Sequence, residues 1–344
     1  MPARITQLLI VFFTCFGTAL AQHFPVKNVD EFASIMRDQY HIPSKSLDPI
    51  ITHLRKICDV KTRPQQANKA IKSIKKPAEK NTWDVYRKRF INQQRIDNGI
   101  AYQNTHAKIL QVAKEKYHAA PSIITAITGV ETNYGKNQGS YSALNALGSL
   151  AFVYPKRQPF FQKELAKFIV LTNKYKINPF KVKSSYAGAL GIPQFMPSSY
   201  LHFSVNEQGQ KKGVINLFNN HNDSIMSIAN YLHQHQWRQR EFIARPIHLT
   251  QPQIDQLKIK KINKKRIVYH NASWYKKYAG IKITSARKDE QFGIAYLDTV
   301  NPQQRYWLVT KNFDAIMSYN PRVNYAMAVF HLYQDLRKHK KSNT

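Results

Sequence analysis

Apolar residues along this chain recur mostly at helical spacing. Val29, Phe32, Ala33 and Met36 predict a helix over Val29–Arg37, with Asp30 and Glu31 in its first turn. Leu47, Ile50, Ile51, Leu54 and Cys58 predict another over Ser46–Cys58. Thr62–Lys80 is rich in lysine and bounded by Pro64 and Pro77, so it reads as partly loop. Trp83–Ile91 fits either an extended segment or a short helix. Ile96, Ile100, Tyr102, Ala107, Leu110 and Ala113 predict one long helix over Asn92–Tyr117, weakened by Gly99. Ser142–Tyr154 is a helix stopped by Pro155, and Pro159–Tyr175 is the next. Asp223–Trp237 and Tyr325–Leu336 are apolar helices with expected caps at Asn222 and Asn324. Between those two, Arg240–Lys311 carries short β-branched runs such as Ile281–Thr284 and Tyr306–Thr310. That pattern predicts a small β-containing lobe inserted between core helices. The fold class is mainly α, in an α+β arrangement, and no internal repeat is visible.

One helix carries a chemical feature. Pro121 suits the first helical position, where its missing N–H costs nothing. Ile123, Ile124, Ile127 and Val130 then form an apolar face. Glu131 falls four residues after Ile127 and shares that face. Asn133 and Gly135 tolerate a left-handed backbone and can end the helix. A carboxyl placed there loses hydration, and the helix dipole disfavours its negative form. Both effects raise its pKa and fit Glu131 to be a general acid. The competing reading is a glutamate that swings to the rim and pairs with one of many lysines.

Composition narrows the class. The chain has 344 residues and 43% hydrophobic content, enough for a sizeable core in one large domain or two to three lobes. Lys and Arg number 52 against 20 Asp and Glu, a formal charge of +32 that favours an anionic partner. Nucleic acid, a membrane surface and an acidic cell-wall polymer all qualify on charge. No zinc-finger, RNA-recognition or helix-turn-helix signature is present. The 19 Tyr and 18 Phe suit a sugar-binding cleft, where rings stack on pyranose faces, although core packing accounts for most of them.

The start of the chain argues for export. Arg4 precedes the apolar run Leu8–Phe16, and Ala19-Leu20-Ala21 supplies small residues for cleavage before Gln22. The run is short for a membrane span. Cys15 stands after Phe13-Thr14, a poor context for lipid attachment, so the expectation is a cleaved signal at 1–21 and a periplasmic protein. Cys58 is then the one remaining thiol, which leaves no internal disulfide and no cysteine-rich metal site. Export also makes nucleic acid an unlikely target.

A second stretch, Ser184–Tyr200, is full of small residues that let backbone approach a ligand or another helix closely. Gln194, fixed by Pro193, offers a donor and an acceptor of the kind a sugar amide or hydroxyl requires. A tight structural turn explains the same spacing.

Together these segments resemble the B-type lytic murein transglycosylases, relatives of the lysozyme superfamily. The resemblance rests on GVETNYG at 129–135, LNALGSLAFVYPKR at 144–157 and SYAGALGIPQFMPSSY at 185–200. It continues through INLFNNHNDSIMSIANYL at 215–232 and NFDAIMSYNPRVNYAMAV at 312–329. It implies a lysozyme-like helical core with a helical lobe and a small β-lobe. The expected layout is a signal at 1–21, a helical lobe and catalytic core at 22–238, the β-containing lobe at 239–311, and a core helix with basic tail at 312–344.

The resemblance further implies cleavage of the β-1,4 bond between N-acetylmuramic acid and N-acetylglucosamine of peptidoglycan, leaving 1,6-anhydro ends. By position Glu131 matches the catalytic acid. Ser185, Gln194, Tyr231, Tyr319, Asn320 and Tyr325 match cleft positions, and Lys156 and Arg157 fall where the family has basic residues near the substrate peptide. No cofactor is implied. Partners are the glycan strands and, as candidates, other cell-wall enzymes; peripheral association with the envelope fits the charge. One departure stands out. Where several family members have an Asp-rich calcium loop, this chain has Ser204–Val214, with Asn206, Glu207 and Gln208 as the available ligands and Lys211-Lys212 beside them. No tight calcium site is expected. The alternatives are a lysozyme-type hydrolase, which needs two carboxylates, and a non-catalytic basic wall-binding module.

Overall fold

The computed structural model describes residues 24–75, 82–239, 241–259, 267–284, 287 and 289–341. The expected signal at 1–21 lies outside them. The chain runs through α1 (Val29–Asp38), α2 (Ser44–Cys58), α3 (Gln65–Lys75), α4 (Trp83–Phe90), α5 (Gln93–Thr105), α6 (Ala107–Tyr117) and α7 (Pro121–Thr132). It continues with β1 (Tyr141–Ser142), α8 (Ala143–Phe152), α9 (Gln158–Lys174), β2 (Lys183–Ser184), α10 (Pro197–Phe203) and α11 (His221–Gln234). Then come β3 (Ala244–Pro246), α12 (Gln251–Leu257), β4 (His270–Asn271), α13 (Ala272–Ala279), β5 (Gln291–Tyr296), β6 (Tyr306–Thr310), α14 (Lys311–Tyr319) and α15 (Val323–Lys341).

Two helical cores form. One gathers Ile123, Ile124 and Ile127 of α7 with Ile225 and Ile228 of α11 and Val329 and Leu332 of α15. The other joins Phe32 of α1, Leu47 and Leu54 of α2, Leu144 and Leu147 of α8, and Phe168 of α9. Tyr319 packs against both. Helix α7 is buried almost all round, not on one stripe alone. Its polar side survives burial because Thr125, Thr128 and Thr132 donate to the carbonyls four residues back, at 2.8, 2.8 and 3.3 Å.

The strands β3-β6-β5-β4 form one antiparallel sheet, with Ile294 opposite Leu308 and Tyr296 opposite Tyr306. Its two-residue side-chain period divides it between two cores. Ala295, Trp307 and Val309 face the α7 core, whereas Phe292, Ile294 and Leu308 face a satellite core with Leu257, Tyr275 and Ile281.

Several boundaries differ from those the pattern predicts. The lysine-rich segment contains helix α3, because Ala67, Ala70 and Ile71 form a buried stripe while Lys69 and Lys72 face solvent. Trp83–Phe90 is helical. The single helix expected over Asn92–Tyr117 is broken at His106, whose ring stacks on His221 at 4.9 Å and lies 4.4 Å from Tyr102. Asn220, not Asn222, caps α11, since its Oδ1 accepts from the N–H groups of Asn222 (2.9 Å) and Asp223 (3.2 Å). Helix α15 starts at Val323, so Asn324 lies inside it. Ile281–Thr284 is not a strand; Ile281 instead plugs the satellite core after the turn at Gly280.

Candidate active site

The end of α7 is built around one tyrosine. Asn133, Tyr134 and Gly135 are all left-handed, with φ of 49°, 63° and 86°. The turn sends the Tyr134 ring back beneath the helix, where its hydroxyl donates to the Arg95 carbonyl at 2.8 Å. Gly129 and Gly99 make room for that ring. A Cβ at either would stand 2.7 Å or less from the Tyr134 hydroxyl oxygen. Arg95 itself donates to the Gly129 carbonyl, placing a cation at the helix C-terminus, where the dipole favours one.

The same turn gathers the other motif segments. Thr132 Oγ1 donates to the Ile192 carbonyl at 3.1 Å and accepts from the Gly135 N–H at 2.9 Å. Gln138 Nε2 donates to the Phe218 carbonyl at 2.7 Å. Gln194 Nε2 donates to the carbonyls of Gly191 (2.9 Å) and Gln138 (3.2 Å). Gln194 sits at φ 51° within its turn, so its amide protons are taken by backbone and its Oε1 is the group left for a ligand.

Glu131 is half-buried on the last turn of α7. Its Oε1 accepts from the Tyr325 hydroxyl at 2.5 Å. Burial pushes its pKa up from 4.5 to about 7, against the smaller opposing effect of that hydrogen bond. Among the described residues, four phenols feel its charge: Tyr325, Tyr319, Tyr231 and Tyr86, each held above the usual range first by burial and then by Glu131 among its neighbours. The Tyr319 hydroxyl is buried with no hydrogen-bond partner among the described residues. Tyr231 packs 4.3 Å from Tyr319, 4.0 Å from His235 and 4.6 Å from Phe203, ring to ring.

The remaining predicted residues divide. Asn320 ends α14 directly after Tyr319, and its carbonyl accepts from the Arg322 N–H at 2.7 Å. Ser185 Oγ accepts from the N–H groups of Ala187 (3.3 Å) and Ala189 (3.0 Å), organising a tight turn, with the hydroxyl proton still to donate. Arg157 is exposed at the start of α9, its guanidinium 4.2 Å over the Phe160 ring and near enough to Glu164 to oppose, as the smallest of several effects, the rise that burial gives that carboxyl's pKa. Lys156 is exposed beside it. The contacts of Arg157 are thus with α9, not with the tyrosines around Glu131. Tyr86 and Arg95 were not singled out by the sequence: each lies in a polar, basic stretch, and only the folded chain brings them to α7.

In the 204–214 loop the oxygen groups are engaged by the protein. Asn206 Oδ1 accepts from the Gln210 N–H at 2.8 Å, and Lys116 Nζ donates to the Gln208 carbonyl at 2.7 Å. Asp223 Oδ2 accepts from the Asn216 N–H at 2.9 Å.

The helical core around this half-buried glutamate and its phenols is that of the lysozyme-like class of sugar-chain-cleaving enzymes. The chain belongs to the transglycosylase SLT domain family, whose model matches residues 27–334, and is a peptidoglycan lytic transglycosylase. It is 30% identical over 316 residues to the membrane-bound lytic murein transglycosylase B of Escherichia coli K12, covering 89% of this chain and 82% of that protein. It superposes on the soluble lytic transglycosylase SltB1 from Pseudomonas aeruginosa with a TM-score of 0.76 and 30% identity, over 91% of this chain and 99% of that one. It also superposes on the Escherichia coli lytic transglycosylase Slt35, solved in complex with bulgecin A, with a TM-score of 0.75, 28% identity, and coverage of 91% and 93%.

Proposed function

We propose that Glu131 alone performs both proton transfers in cleavage of the β-1,4 bond between N-acetylmuramic acid and N-acetylglucosamine. With a pKa near 7 the carboxyl is available in its protonated form at neutral pH. It gives its proton to the glycosidic oxygen as the C1–O bond breaks. Now ionised, and stabilised by the Tyr325 hydroxyl, it takes the proton of the muramic C6 hydroxyl. The O6 so released attacks C1 and closes the 1,6-anhydro ring. The nucleophile belongs to the substrate, so no external water is consumed and the reaction benefits from proximity.

The observation that carries this reading is the company Glu131 keeps. Among the described residues its carboxyl bonds the Tyr325 phenol and its charge reaches Tyr319, Tyr231 and Tyr86, where a two-carboxylate hydrolase would hold a second acid at a set distance. Tyr319, Tyr231 and Asn320 form one wall of the substrate groove, and Ser185 and the Gln194 Oε1 take amide and hydroxyl groups on the other. Arg157 and Lys156, standing apart just before α9, contact the acidic stem peptide. Residues 22–238 and 312–344 act as helical lobe and core, and 239–311 as the β-containing lobe. The protein works in the periplasm after removal of residues 1–21, held against the acidic wall and envelope surface by its charge. No helix among the described residues is long and apolar enough to cross a membrane.

Digestion of purified sacculi in oxygen-18 water tests the reaction class. Anhydro ends without label are expected; reducing ends carrying one labelled oxygen would mean a lysozyme-type hydrolase.

A further inference from the structure

The β lobe has a cavity of about 570 Å³ that the reaction at Glu131 does not use. It lies within the size range of small-ligand sites, about 300–1,000 Å³. Its origin is the period of the sheet. The face that buries Ile294 and Leu308 in the satellite core continues, two residues along each strand, to Tyr296 and Tyr306. These two directly paired residues are only half-buried, with ring centroids 5.6 Å apart, and they line the cavity wall. Planar polar side chains line it as well. Gln251 Nε2 donates to Asp255 Oδ1 at 2.8 Å, and Asp255 is near enough to Tyr306 to raise its pKa, after burial and Tyr296. Arg305 donates to the Thr299 carbonyl at 3.3 Å.

We propose that this cavity is a second glycan-binding site, which seats N-acetyl sugar units of a peptidoglycan strand outside the catalytic groove. Tyrosine rings cover the apolar face of a pyranose, and carboxylate, amide and guanidinium groups bond its hydroxyl and acetamido groups in pairs. A second cavity, of about 350 Å³, shares Lys258 and Ile259 with the first. It is edged by Trp274, with His270 stacked on it at 3.7 Å and Tyr278 at 4.5 Å. Two adjoining cavities with aromatic walls suit an extended polymer better than a single small molecule. The lobe is also fixed to the catalytic side. The loop held by Arg305 receives the Trp83 N–H at the Asp298 carbonyl (2.6 Å), and Thr299 Oγ1 donates to Asp84 Oδ1 (3.0 Å). Both partners lie on α4, the helix that carries Tyr86 toward Glu131. A strand seated on the lobe is thereby tethered to the enzyme that cuts it.

This inference rests on the peptidoglycan reading, and its test separates the two. Full-length Glu131→Gln protein with isotope-labelled tyrosines is titrated with the soluble tetrasaccharide of alternating N-acetylglucosamine and N-acetylmuramic acid. The ring signals of Tyr296 and Tyr306 should shift on saturation. Tyr296→Ala and, separately, Asp255→Ala, an exposed position on α12 that the fold tolerates, should weaken retention on sacculi about three- to tenfold. In the Glu131-containing enzyme the same changes should raise KM for sacculi more than they lower kcat. Unmoved Tyr296 and Tyr306 signals, or undiminished retention in both variants, would overturn the site while leaving the role of Glu131 standing. Turnover by Glu131→Gln would overturn the catalytic reading and leave the binding result intact.

Discussion

The end of α7 and the junction between the core and the β lobe each carry a glutamate withdrawn from solvent, and the two are treated in opposite ways. Glu241, with its side chain 1% exposed, receives Arg287 Nη2 at 2.7 Å, Arg238 Nη1 at 3.6 Å and the Lys311 N–H at 3.1 Å. Glu164, between α9 and α10, receives both the N–H (2.9 Å) and the hydroxyl (2.6 Å) of Ser198. Glu131 has one phenol. Donors from several elements let Glu241 and Glu164 join parts of the fold together, and at Glu164 the two Ser198 bonds oppose the rise that burial gives its pKa. A carboxyl left among rings keeps its proton to higher pH and can exchange it with a substrate. Burial raises the pKa of Glu164 as well as that of Glu131; what sets Glu131 apart is that a single phenol faces its carboxyl, which leaves that group open to a substrate.

The largest effect that would break this contrast is on rate. Glu131→Gln preserves shape but cannot exchange a proton, so release of soluble muropeptides from sacculi should fall by at least about 10²–10⁴-fold. The same loss from Glu164→Gln in a folded protein would erase the distinction. On stability the order should reverse. Glu241→Ala removes the buried carboxylate that receives Arg238, Arg287 and the Lys311 N–H, while Asp289 keeps both arginines paired, and should cost about 1–3 kcal/mol in chemical denaturation. Glu131→Gln should instead stabilise the protein, and only at high pH. The folded carboxyl has a pKa of about 7 against 4.5 when free, so folding takes up a proton between those values. Its burial penalty is absent at pH 4, grows as pH rises and is complete above 7. The variant should therefore match wild type at pH 4 and exceed it at pH 8 by about 1–3 kcal/mol.

A subtler change sharpens the picture. Tyr325→Phe removes the hydrogen bond that favours the carboxylate, so the Glu131 pKa should climb further, by about one unit. Activity should persist with its alkaline limb displaced upward. A limb displaced downward would mean that Tyr325 does not donate to the charged form.

What could be read from the sequence was local. Pro121, the isoleucine spacing, and the left-handed tolerance of Asn133 and Gly135 placed Glu131 on the last turn of a buried helix, because each acts within a few residues. The partners arrive from afar: Tyr325 lies 194 positions away, and Arg95 reaches Gly129 across 34. Those contacts depend on packing, which no periodicity encodes. His106 shows the same limit: the residue at which the expected helix breaks has its ring stacked on His221, a distant contact that the segment's own pattern does not hold. Gln194 looked free to bind through both ends of its amide, yet two backbone carbonyls claim the nitrogen. Motif resemblance brought Tyr231, Tyr319 and Tyr325 together before their contacts were visible; it offered nothing for Tyr86, which sits in a basic stretch without a motif.

The rate of anhydro-product formation as a function of pH, measured for wild type beside Glu131→Gln, is the most direct test of a lone carboxyl tuned by burial. Wild-type activity should decline as pH rises through about 7, and the variant should form no product at any pH. A wild-type rate that holds level from pH 6 to pH 9 (roughly one to two units either side of the tuned value), or a variant that keeps pace with it, would contradict the account.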